Sequence, residues 1–172
     1  MKKMVKAQIK KVLVLMLLVV LAGPSLTVQA KQTEKTSNTK VVVIDPGCQM
    51  TANERKEAIG PGAFKTTIQA PSGQVGINTG LAEYDLNLKV ASKLKVKLEA
   101  DGYKVVLTRT SNDVDVSGSG RAMVANSEGA DLFIVINATE VAGVKVECQT
   151  DDNPYNYGNY SNARLLSDAI LG

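Results

Sequence analysis

The chain has 172 residues, enough for one domain and a leader, with a hydrophobic fraction of 44% that can build a real core. Its formal charge of +3 is misleading, because residues 1–30 hold five lysines and no acid, leaving 15 basic against 17 acidic residues in the remainder, a net of −2. A near-neutral body carries no basic footprint for nucleic acid, and a chain with no histidine lacks the commonest general base and metal ligand.

Residues 1–30 read as an export signal. Lys2, Lys3, Lys6, Lys10 and Lys11 precede the apolar run 12–22; Gly23 and Pro24 break it, and Val28-Gln29-Ala30 offers small residues for cleavage. Eleven apolar residues fall short of the ~20 that cross a bilayer. The expectation is a cleaved leader with no stable membrane span afterwards, an uncleaved anchor being the alternative. Residues 31–39 are polar, rich in Thr, Ser and Lys, and read as a disordered lead-in. The domain is expected over 40–172.

Residues 40–44 read as a strand whose apolar run, after Lys40, is of the kind buried on both faces of a sheet. Asp45-Pro46-Gly47 then turns sharply. Residues 48–81 show little periodicity and many Gly and Pro, which reads as a long loop rimming a cleft. Residues 84–100 have helical spacing, with Val90, Ala91, Leu94 and Leu98 on one face and Gly102 as the stop. Residues 104–109 read as a strand. Residues 113–120 are a turn-rich connection before a short helix over 121–128, ended by Gly129. Residues 132–136 are a second buried-type strand, and 144–148 a shorter strand candidate. Residues 153–160 form a tyrosine-rich loop, and 161–171 a helix with Ala163, Leu166, Ala169 and Ile170 near one face.

Strands alternating with helices define an α/β domain with a largely parallel or mixed sheet of about four strands, flanked by helices. Such sheets bind ligands beyond the carboxyl ends of their strands. Cys48 and Asn137 both follow strand ends directly. Export permits a disulfide between Cys48 and Cys148, although Cys148, after an apolar run, also reads as a buried small hydrophobe.

Several segments together carry a family resemblance. They are Val41-Val42-Val43-Ile44-Asp45-Pro46-Gly47, Glu83-Tyr84-Asp85-Leu86-Asn87-Leu88, Gly102-Tyr103-Lys104-Val105-Val106-Leu107-Thr108-Arg109-Thr110, Arg121-Ala122, Ala125-Asn126 and Ala130-Asp131-Leu132-Phe133-Ile134. In order and spacing the chain resembles the zinc-dependent N-acetylmuramoyl-L-alanine amidases. The resemblance implies an exported cell-wall hydrolase acting on peptidoglycan or muropeptides, at the amide between N-acetylmuramic acid and L-alanine. It also implies zinc held by two His and one Glu, with a late Glu as general base.

Carried over position by position, the first His becomes Cys48, the Glu ligand is retained as Glu83, and the second His becomes Asn137. The late Glu and the last strand or strands are expected beyond 161–171 and are not found before Gly172. The expectation is therefore a degenerate copy, catalytically impaired. Two alternatives remain open. One is a non-catalytic peptidoglycan-binding or regulatory module. The other is a hydrolase with a rebuilt Cys48/Glu83 metal site, for which Glu54, Glu57 or Asp45 are the nearby bases by sequence. For Glu83 the competing reading is a first-turn helix acid, and for Asn137 a strand-end residue bonding local backbone. Arg109 and Arg121 suit either substrate carboxylates or structural ion pairs. Tyr155, Tyr157 and Tyr160 suit sugar stacking or loop packing. The glycines of Ser117-Gly118-Ser119-Gly120 weaken the next helix start if they fall in its first turn.

Overall fold

A computed structural model describes residues 39–139, 143–151 and 159–172. The expected leader, nearly all of the lead-in, and Tyr155 and Tyr157 lie outside these residues.

The order of elements is β1 (Val41–Pro46), β2 (Asn53–Ala58), β3 (Thr66–Ala70), α1 (Glu83–Ala100), β4 (Lys104–Leu107), α2 (Gly118–Ser127), β5 (Leu132–Ile136) and α3 (Tyr160–Leu171). Three of the strands form a parallel sheet in the order β4-β1-β5. β1 is the middle strand and is buried at every position, which is why its sequence is apolar without alternation. The chain leaves β1 to build β4 on one side and then returns to build β5 on the other. The crevice beyond the carboxyl end of β1 is thus a topological switch point.

Val42, Ile44, Val105 and Ala91 make the buried cluster on one face, with Leu94, Leu98, Leu107, Leu132, Ile134 and Ile136 packed against it. α1 covers this face through Asn87, Ala91, Leu94 and Leu98. The stripe differs from the expected one by a single position: Val90 is exposed, and Asn87 is buried in its stead. Asn87 is accommodated because its amide donates to the Gly47 carbonyl at 3.0 Å. α2 lies on the opposite face, since its Arg121 meets Asp45, one residue out of phase with Val42 and Ile44.

Four expectations are corrected. Residues 48–81 are not a single loop: β2 and β3 pair there as an antiparallel hairpin. β2 reads Asn-Glu-Arg-Lys-Glu-Ala and has no buried face, so the apolar alternation that announces a strand is missing. The parallel sheet has three strands among the described residues, not four, because 144–148 is irregular and only partly buried. Cys148 is likewise half-buried, and neither cysteine is in a disulfide. The stripe of α3 is not what that helix buries: Leu166 and Ile170 are exposed, and Ser167 is its buried residue.

The Gly-Ser-Gly start of α2 does fall in the first turn. Ser117 caps it, accepting from the Gly120 amide at 3.1 Å. Glu57 of the hairpin supplies the carboxylate: it accepts from the Ser119 amide at 3.2 Å and hydroxyl at 2.5 Å. A Cβ at Gly118 would stand 2.8 Å from Glu57 Oε1, so this glycine makes room for the acid. A negative charge there also complements the helix dipole. Among the described residues, no helix is long and apolar enough to cross a membrane.

Candidate functional site

The turn after β1 holds Cys48 at φ 61°, a left-handed conformation uncommon for any residue but glycine. Such a conformation persists only where its surroundings enforce it, and here the enforcement comes from backbone carbonyls. Arg109, just past β4, donates from Nε to the Pro46 carbonyl at 2.8 Å and from Nη2 to Gly47 at 3.2 Å and Tyr84 at 2.7 Å. Arg121 of α2 donates to the Pro46 carbonyl at 3.0 Å and to the Cys48 carbonyl at 3.3 Å. Asn87 adds its bond to Gly47. The three carbonyls 46, 47 and 48 are therefore held by three side chains from outside the turn, Arg109, Arg121 and Asn87, with 46 and 47 held twice.

The charges in this clamp are buried. Arg121 meets Asp45 Oδ1 at 2.7 Å with both side chains nearly inaccessible, and Thr108 donates to the same carboxylate oxygen. Gln49 closes the network, its Oε1 accepting from Arg121 at 3.2 Å and from the Val116 amide at 3.1 Å. Burial, and then the neighbouring Arg121 guanidinium, lower the Arg109 pKa. Among the described residues, no buried side-chain polar atom lacks a partner. Arg121 thus makes the structural ion pair of one of the two readings, whereas Arg109 holds backbone carbonyls and the Asn112 amide and, among the described residues, forms no ion pair. No sequence periodicity marks them as buried; only their position one strand length past turn signals offers a hint.

Glu83 opens α1 and reaches back to the turn. Its carboxylate faces the Cys48 thiol, both lying within 3 Å of the point that a Cβ on Gly73 would occupy, and the Gln74 amide donates to Glu83 Oε2 at 3.1 Å. Burial pushes the Cys48 pKa up to about 11, and the facing Glu83 carboxylate adds to the effect. The group is therefore a thiol, not a thiolate, at neutral pH. Gly73 packs over the pair with φ 75°: a Cβ there would lie 2.6 Å from Glu83 Oε2 and 2.9 Å from Cys48 Sγ.

Asn137, just past β5, sits against Gly47 instead. A Cβ at Gly47 would fall 1.9 Å from Asn137 Oδ1, so residue 47 must be glycine for the two strand ends to close. The Gly47 amide also donates to the Ile136 carbonyl at 2.9 Å.

The three singled-out positions thus divide two and one: Cys48 with Glu83, and Asn137 on Gly47. Of the nearby acids, Asp45 is committed to Arg121 and Thr108, and Glu57 to the start of α2. Glu54 lies on the exposed hairpin and lines an open polar hollow of about 980 Å³ with Arg55, Asp113 and Asp115.

These features define a parallel α/β domain with its site at the carboxyl end of the central strand. The chain belongs to the N-acetylmuramoyl-L-alanine amidase family, whose model matches residues 42–171. It is 43% identical over 67 residues to the N-acetylmuramoyl-L-alanine amidase LytC of Bacillus subtilis strain 168, covering 39% of this chain and 13% of that protein. Its fold is similar to the apo form of the N-acetylmuramyl-L-alanine amidase Ami1 of Mycobacterium abscessus, with a TM-score of 0.53 and 23% identity over 58% of this chain and 47% of that one. Ami1 of Mycobacterium smegmatis gives a TM-score of 0.52 at 23% identity, covering 58% and 46%. The chain spans just under half the length of these two structures and a small part of LytC.

The family is generally zinc-dependent, and a catalytic zinc needs three protein donors with an open fourth position. The residues here do not fit that requirement. Cys48 and Glu83 are only two donors, the Cys48 thiol holds its proton with a pKa pushed up to about 11, and an amide oxygen such as that of Asn137 suits harder cations. Among the described residues, no three His, Cys, Asp or Glu side chains are grouped to hold a metal.

Proposed function

We propose that this protein is exported, acts at the cell wall on peptidoglycan or muropeptides, and has lost or badly impaired the hydrolysis its family is named for. One observation carries the reading: the donor positions hold a thiol, a carboxylate and an amide, with the thiol facing the carboxylate at Gly73 and the amide set apart against Gly47. The chemistry of that set supports impairment. Two neutral imidazoles and a carboxylate would leave a divalent cation at net +1, whereas a thiolate and a carboxylate would neutralise it and acidify a bound water less. The lysine-rich, apolar, small-residue pattern of 1–30 supports export. Family membership and the likeness to LytC support peptidoglycan as the partner.

The test is digestion of purified peptidoglycan, read as new L-alanine amino termini, alongside co-sedimentation with the same material. The expected outcome is sedimentation with the wall and no release of L-alanine termini above background. Turnover at ordinary amidase rates would overturn the reading.

A second reading, a hydrolase with a rebuilt Cys48/Glu83 metal site, is favoured by the contact between those two side chains. Zinc loading followed by desalting separates the two. The expected result is no retained zinc in the native chain, and about one per chain in a Cys48→His, Asn137→His double variant. One zinc per native chain, lost on Cys48→Ala, would establish the second reading instead.

A further inference from the structure

We infer that residues 71–74 form a strap that closes over the Cys48–Glu83 pair, and that any molecule reaching this pair must first lift it. The strap is fastened at both ends. At its start the Pro71 carbonyl accepts from the Gln49 amide at 3.1 Å, tying it to the turn. At its end the Gln74 amide donates to Glu83 Oε2 at 3.1 Å, and the Gln74 carbonyl accepts from the Glu83 amide at 2.8 Å. An isolated bridge between Val75 and Ala82 continues this pairing.

Between the two ends Gly73 lies directly on the pair, close enough that an added methyl group would collide with both Glu83 and Cys48. Cys48 is 8% exposed beneath it, although Pro71 and residues 73–76 face solvent. The strap is thin: one residue deep, joined to the turn and to α1 by three backbone hydrogen-bonding groups, with no apolar side chain anchoring its middle. Segments with few buried apolar contacts and solvent-facing hydrogen bonds open at free energies well below global unfolding. The strap is therefore a gate with a low local opening energy, and it stands whether or not the chain hydrolyses anything.

The experiment uses the purified full chain carrying Cys148→Ser, so that Cys48 is the one thiol, labelled with iodoacetamide at fixed pH. Labelling of the folded protein should be at least tenfold slower than in denaturant. Two variants open the strap by different routes. Gly73→Ala places a Cβ against the pair, and Gln74→Pro deletes the donor to Glu83 without adding an atom at the thiol. Both should label at least tenfold faster than the parent, with unchanged far-ultraviolet circular dichroism. Parental rates in both folded variants would overturn the proposal.

Hydrogen exchange on the parent decides the matter independently of the variants' folding. The protection of the Gln74 and Glu83 amides should match the protection of the thiol to within about threefold, because one opening exposes all three. Thiol protection equal to that of the β1 amides, with Gln74 exchanging far faster, would show that global unfolding exposes Cys48 and that the strap gates nothing.

Discussion

Cys48 and Arg121 show how much one residue can owe to its surroundings. The thiol pKa rises from 9.0 in the unfolded chain to about 11 in the fold, so the native state holds its proton more tightly. Stability from this group is complete below pH 9 and is lost as pH rises through about 11, since the unfolded state releases the proton first. Denaturant titrations between pH 8 and 11 should therefore show a decline that is shallower in Cys48→Ala. Lysines and tyrosines titrate in the same range, so the comparison between the two proteins is the readout. Arg121→Met makes a larger change. It strands the Asp45 carboxylate in a buried site and frees the Pro46 and Cys48 carbonyls of one partner. Breaking one side of a buried ion pair costs about 3–5 kcal/mol, which should appear as a loss of the cooperative unfolding transition or a sharply lowered midpoint.

At the scale of elements, the hairpin and α2 depend on each other. Glu57 provides the acid that the Gly-Ser-Gly helix start lacks, and Ser119 returns two hydrogen bonds to it. Glu57→Ala should lower stability by about 1 kcal/mol, the usual value of a helix cap, and raise amide exchange at Ser119 and Gly120. Unchanged exchange there would mean the contact contributes nothing in solution. The same contact marks the limit of reading these elements from sequence. β1, α1, β4 and β5 are legible because burial writes apolar runs or helical spacing into them. β2 is illegible because the sheet it joins has no core of its own. Nor does Gly118 advertise its purpose, since room for a carboxylate arriving from 60 residues earlier leaves no periodic trace. At the site, Cys48 and Asn137 could be placed at strand ends by spacing alone. That the thiol would turn to Glu83 and the amide to Gly47 depends on the third dimension.

For the molecule as a whole, the parallel sheet is loaded unequally on its two faces. β5 alternates between the side packed under α1 and a side where Phe133 and Val135 remain 39% and 49% exposed. Adjacent residues should therefore differ in what they contribute. Ile134→Ala should destabilise by about 2 kcal/mol, at the low end for a large-to-small core change because its site is only partly buried. Val135→Ala should stay within about 0.5 kcal/mol, as surface changes do. Equal effects in urea unfolding would mean that the face carrying Phe133 and Val135 is covered in solution.

The clamp around residues 46–48 grips backbone oxygens and no part of the Cys48 side chain. The path of the backbone through this turn is consequently set by its oxygens, while the Cys48 thiol packs separately against Glu83 and Gly73. A change of side chain at position 48 leaves the backbone bonds of the clamp in place and is felt through its packing on Glu83 and Gly73. The shape of this turn and the chemistry of the side chain it presents can therefore change independently of each other.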